Sequence, residues 1–232
     1  MPTKPTLTIA GRLNAAQVAI ANSLADEEIQ SLVAAYGYAP AKLNEGQALY
    51  DGALAAVTAQ KAAAGAQLQA TQEMAAAEAS ARDAYQALAK VARAIFQGDK
   101  ARLTALGLNG TAPRATATFL ASAAALFDNA AAAPTLADYG YDGGRLASER
   151  AKIAAFDLAN QRQEAAKGAA QQATREQDAA LTSLDAWRAQ YIKIARVALR
   201  GKKQLLEKIG VPARTSARRT TASGPASGPV SG

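Results

Sequence analysis

The most concentrated chemistry in this chain is cationic and lies toward its C-terminus. Residues 188–219 hold ten basic side chains (Arg188, Lys193, Arg196, Arg200, Lys202, Lys203, Lys208, Arg214, Arg218, Arg219) against Glu207, a balance of +9 in a chain whose total is +7. Cations at this density neutralise phosphates or other anions without reading a sequence. Arg200, Lys202, Lys203, Lys208, Arg214, Arg218 and Arg219 are therefore the candidate contacts to nucleic acid or another polyanion. No aromatic residue lies beyond Tyr191, so base stacking has no support there. Residues 85–116 repeat the pattern more weakly, with Lys90, Arg93, Lys100, Arg102 and Arg114 against Asp99. Lys and Arg in the last turn of a helix also complement its dipole, at ~0.3–1 kcal/mol each. That structural role is the expectation for Lys90, Arg93, Lys193 and Arg196.

Other chemistries lack their residues. The chain has no histidine and no cysteine, which removes the commonest general base, the commonest metal ligand, thiol nucleophiles and disulfides. Gly140, Gly143 and Gly144 precede a helical stretch but have no Lys-Ser/Thr after them and no strand before them, so they do not make a phosphate loop. Glu73 and Glu176 sit in Gln-rich segments and read as solvated. Tyr36, Tyr38, Tyr139 and Tyr141 could line a shared turn pocket, though ring packing over helix ends is the ordinary role. The sequence predicts no catalytic, cofactor-binding or metal-binding residues, no cofactor, and a protein that is not an enzyme.

The elements carrying these residues follow from an internal match. Shifted by 103 residues, the chain aligns with itself without a gap, Tyr36-Gly37-Tyr38 on Tyr139-Gly140-Tyr141, Gly65 on Gly168, Gly98 on Gly201 and Gly107 on Gly210. Over residues 36–110 there are 25 identities in 75 positions, nine of them Ala on Ala; the other sixteen are beyond what an alanine-rich composition supplies. A period this long is not that of a solenoid and points to duplication of one helical unit. Each copy contains a proline-free stretch dominated by alanine, residues 42–97 and 145–200, and alanine is the best helix former.

In chain order, residues 3–12 form a lead with Leu7 and Ile9 alternating, an arm or short strand. A helix is expected from Asn14 as N-cap to Ala35, ended by Tyr36-Gly37-Tyr38-Ala39-Pro40. The long helix follows, with a seam drawn through Leu43, Tyr50, Ala53, Val57, Ala64, Leu68, Thr71, Met74, Ala81, Tyr85, Leu88, Ala92 and Ile95. Gly65 and Gly168 mark either close helix contact or a break, and continuity is favoured because neither has the partners of a turn. A short helix over residues 99–106 ends at Gly107. The second copy brings a helix over residues 115–131 with Phe119, Leu120, Leu126 and Phe127 on its apolar face, then the second long helix.

The expected fold is all-α, an elongated helical bundle from an internal duplication, with the long helices antiparallel because the link between copies is short for a parallel return. The parts are an N-terminal arm (1–13), repeat 1 (14–113), repeat 2 (114–211, one cooperative domain with repeat 1) and a basic Ser/Thr/Gly/Pro tail (212–232) expected to be disordered. The predicted function is a structural or self-assembling helical protein, a scaffold or filament subunit that forms a homo-oligomer. The alternative is non-specific binding of nucleic acid or an anionic surface through the basic end. No apolar run of membrane-spanning length or signal-peptide type is present, so the expected location is cytoplasmic; an unconventional export route would leave no mark in the sequence.

Overall fold

The computed structural model describes residues 8–212. Among the described residues seven α-helices follow one another: α1 (Ile9–Ala25), α2 (Glu27–Ala34), α3 (Pro40–Ile95), α4 (Lys100–Ala105), α5 (Thr116–Ala130), α6 (Gly143–Ala198) and α7 (Lys203–Lys208), with a 3-10 turn at Pro134–Tyr139 before α6. No strand occurs among the described residues. The fold is all-α, and its long helices pack against each other.

The start of the chain departs from expectation. Helix α1 begins at Ile9, because the Thr8 side chain accepts the Gly11 N–H and supplies the N-cap; Asn14 lies inside the helix, and Leu13 is buried. Residues 9–13 are thus helix and not part of an arm, while residues 3–7 lie outside the described ones. The expected single helix to Ala35 is broken at Asp26, whose backbone is extended and whose carboxylate caps Ile29 N. An Asp followed by Glu27 and Glu28 is a strong helix start, because the side chain satisfies an orphan N–H and the acids meet the positive end of the dipole.

Both 56-residue helices are unbroken. Gly65 and Gly168 do not mark close contact: a Cβ at either would meet nothing within 4 Å. The seam of α3 runs through Gln60, Ala63, Gln67, Ala70, Met74 and Ala77, all half-buried, whereas Ala64, Leu68 and Thr71 are exposed, Leu68 by 62%. The steps of three and four that leave Val57 pass one residue to the side of Leu68. Alanine suits either face, so the lone leucine misleads the reading. On α6 the same role falls to Gln163, Ala166, Ala170, Ala173 and Gln177.

The described residues form two compact units, one of residues 8–54 with 179–212 and the other of residues 55–178. In the first, Leu13, Ile20, Ile29, Val33, Leu43, Leu181, Leu184, Tyr191 and Leu199 are buried, and α1 packs on α2 and α7. In the second, the core gathers Tyr85, Leu88, Phe96, Phe119, Leu126, Phe127, Leu136, Leu146, Ile153 and Phe156.

Helix boundaries recur at an interval of 103: α3 and α6 start at 40 and 143 and end at 95 and 198, while α4 and α7 cover 100–105 and 203–208. Among the described residues, six glycines have positive φ and fall into three pairs at the same spacing: Gly37 (87°) with Gly140 (82°), Gly98 (87°) with Gly201 (87°), and Gly107 (72°) with Gly210 (77°). A residue with a Cβ is strained in this region, so each pair fixes one helix ending.

Candidate functional surfaces

In the first unit, Gly37 turns the chain between α2 and α3 and places Tyr38 inward and Tyr36 outward. Tyr38 is buried, its ring 5.1 Å from Tyr191 and 6.0 Å from Trp187. Trp187 stacks on Tyr191 at 5.3 Å and reaches α3 at Gly46, where a Cβ would lie 2.3 Å from the indole. The Tyr191 hydroxyl bonds to Ser23, which also donates to the Ala19 carbonyl at 2.6 Å. Burial raises the Tyr191 and Tyr38 hydroxyls above the ordinary tyrosine value, because the phenolate would lose its hydration. The Tyr38 hydroxyl and the Trp187 indole nitrogen are buried with no hydrogen-bond partner among the described residues. These groups form a closed aromatic core, not an open site.

In the second unit, Gly140 repeats the turn. Tyr141 is buried, with the Arg145 guanidinium 4.2 Å above its ring, and Asp142 caps α6 by accepting the Arg145 N–H at 2.8 Å. Tyr139 faces outward, 58% exposed, and with Val91, Ala94 and Ile95 lines an open apolar hollow of about 400 Å³. A second groove, of about 480 Å³, is lined by Phe96, Leu106, Ala132 and Pro134. Its charged residues are already paired, Arg102 with Asp99 and Asp128 with Arg150, each at 3.1 Å.

The candidate cations divide. Lys208 is committed to Asp26, 2.7 Å away, and its backbone carbonyl accepts from Asn22. The hydrogen bond from Lys208, helped by Ile29 N–H, holds the Asp26 carboxyl below the ordinary carboxylate range. Lys202 pairs with Glu28. Arg200 and Lys203 are exposed and form no ion pair among the described residues. Arg214, Arg218 and Arg219, with the rest of residues 213–232, lie outside the described residues. Of the four that are described, two are held in ion pairs and two are not. The paired two close α7 onto the α1–α2 junction.

Lys90, Lys193 and Arg196 are exposed near helix C-termini, whereas Arg93 donates to the Gly110 carbonyl at 2.7 Å. Glu73 and Glu176 are solvent-facing, each accepting at 2.8 Å from a glutamine one turn earlier, Gln69 and Gln172. No group of three or more acidic, His or Cys side chains placed to hold a metal occurs among the described residues, and none of the described helices is long and apolar enough to cross a membrane.

What sequence reasoning missed is the split within each Tyr-Gly-Tyr turn. The second tyrosine is buried and the first is exposed, Tyr36 by 51%. Beside these, Val197 is 54% exposed on α6 and stands 103 residues after Ala94. The signal was available in the glycine: a left-handed residue between two tyrosines sends their side chains different ways. No protein-family model, curated protein or solved structure matches this chain.

Proposed function

We propose that the chain is a non-enzymatic structural protein, a self-assembling helical subunit of a scaffold or filament, built by duplication of one helical unit with its two long helices antiparallel. The shared interval of 103 in helix boundaries and positive-φ glycines supports the duplication. The antiparallel course is supported by the packing of Tyr38 and Gly46, at the start of α3, on Trp187 and Tyr191, at the end of α6. The observation that carries the assembly reading is the open apolar hollow lined by Tyr139, Val91, Ala94 and Ile95, with Tyr36 and Val197 exposed at the positions 103 residues from Tyr139 and Ala94. Tyrosine is enriched at protein interfaces, and contiguous exposed apolar surface marks a docking site. Sedimentation velocity over a concentration series tests the reading: species larger than one chain are expected, and a strictly monomeric protein at every concentration would sink it.

A second reading is non-specific polyanion binding, favoured by the unpaired Arg200 and Lys203. It predicts nucleic-acid affinity that falls steeply with salt and drops when residues 214–232 are removed; salt-insensitive binding, or none, removes it.

A further inference from the structure

We infer that Asp26 and Glu28 form an autoinhibitory contact, holding Lys208 and Lys202 away from the phosphate backbone of a nucleic acid. This rests on the polyanion reading and adds what regulates that surface. Lys208 Nζ lies 2.7 Å from Asp26 Oδ2, and the Lys208 carbonyl accepts from Asn22 Nδ2 at 2.6 Å. Lys202 pairs with Glu28. Glu28, Gly201, Lys202, Lys203, Gln204 and Leu205 line an open hollow of about 410 Å³, so the Glu28 carboxylate stands among cations where a phosphate would otherwise sit. The hydrogen bond from Lys208 keeps Asp26 ionised at neutral pH, so the contact persists until a competing anion or salt displaces it. Arg200 and Lys203 are exposed and make no ion pair among the described residues.

The second unit docks its matching short helix without such pairs. There Asp99 and Ala105 stand at the positions of Lys202 and Lys208, and Asn129 and Ala131 at those of Asp26 and Glu28. Leu106 and Leu108 after α4 are nevertheless buried, as Ile209 and Val211 are after α7. The two cations and the two acids are thus present together in the first unit and missing together in the second, so the pairs govern charge more than docking. Nucleic acid is favoured over a membrane surface because α7 exposes Lys203, Gln204 and Lys208 while Leu205 and Leu206 are half-buried, and an interfacial helix needs an exposed apolar face.

The test measures binding of the full-length chain to a short DNA duplex by fluorescence anisotropy over a salt series. Asp26→Asn with Glu28→Gln frees both cations, while an Asn side chain still caps α2. This variant should bind about tenfold more tightly, with the slope of log affinity against log salt steeper by about 1.8, two more phosphates at about 0.9 each. Adding Lys202→Gln and Lys208→Gln to it should return both values to those of the unaltered chain, whereas the same lysine changes alone should move them little. Glu73→Gln with Glu176→Gln removes the same charge from solvent-facing positions and should gain much less. Glu28→Gln alone leaves the cap untouched and should steepen the slope by about 0.9, which decides the matter if the double variant melts early. Binding by the freed variant alone is the extreme form of the expected result. If the unaltered chain binds and neutralising the acids changes nothing, if the control gains as much, or if phosphatidylserine vesicles gain and the duplex does not, the contact is not autoinhibitory while polyanion binding stands. If neither the unaltered chain nor the freed variant binds the duplex, both fall.

Discussion

The two units solve one packing problem with opposite allocations of bulk. In the first, Trp187 and Tyr191 on α6 fill the core, Gly46 leaves room for the Trp187 indole, and the buried positions Ala16 and Ala53 are small. In the second, the positions 103 residues away invert this, with Ala84 for Trp187 and Leu88 for Tyr191, but Phe119 for Ala16 and Phe156 for Ala53. Phe119 then packs on Tyr85 at 5.5 Å and on Phe156 at 6.2 Å. The hydrogen-bonded Ser23 and Tyr191 correspond to the buried leucines Leu126 and Leu88. Surface clasps follow the same positions with changed chemistry. Lys208 to Asp26 matches Asn129 donating to the Ala105 carbonyl at 2.8 Å, while Arg12 to Asp185 at 2.7 Å has its near counterpart in Arg82, which matches Asp185 and reaches the Arg114 carbonyl at 3.0 Å, one residue before the position that matches Arg12. Close packing requires the volumes to balance within each unit, so a contact can keep its place while the side that fills it changes.

The largest losses should come from removing the bulk. Trp187→Ala in the first unit and Phe156→Ala in the second should each cost about 3–5 kcal/mol in chemical denaturation, because neither neighbourhood holds a compensating side chain. Overpacking comes next: Gly46→Ala should cost about 1–3 kcal/mol, and much less in a Trp187→Ala background, since the added methyl collides with that ring. Ser23→Ala should cost about 1–3 kcal/mol by leaving the Tyr191 hydroxyl unpaired, and Tyr191→Phe added to it should restore most of the loss. Gly65→Ala and Gly168→Ala have the opposite sign, stabilising by about 1 kcal/mol each, because both sit in open helix interior.

The units should also differ in their response to pH. Asp26 has a depressed folded pKa, so its contribution is present above the unfolded value and is lost as pH falls through the folded one. Lys208→Ala should flatten that acid limb, while Asn129, at the matching place in the second unit, titrates nothing. Tyr191 has a raised folded pKa, so its contribution is complete below the ordinary value of 10.0 and is lost as pH rises above it. Leu88 has no such limb. Alkaline melting followed by tyrosine absorbance should therefore begin in the first unit, and a simultaneous loss of both would contradict this.

The helices were legible where local chemistry decides them. Tyr-Gly-Tyr before Pro40, Gly98 and Gly107 and their partners fix endings by backbone strain alone, and two alanine-rich runs without an interior proline favour continuity through Gly65 and Gly168. Leu68 was misread because an alanine-rich helix gives no contrast between faces. The commitment of Lys202 and Lys208 was illegible because their partners, Glu28 and Asp26, lie 174 and 182 residues away in sequence. The exposed half of each tyrosine pair could have been inferred from the glycine between them, and it is the feature on which the assembly reading turns.

The most direct test is the light-scattering mass of the intact chain over rising concentration, measured beside Tyr139→Ser. The native mass should climb from 23.8 kDa through several multiples while the variant lags far behind it. A native mass that stays at one chain, or a variant that climbs in step with it, would contradict assembly through the exposed tyrosine turns.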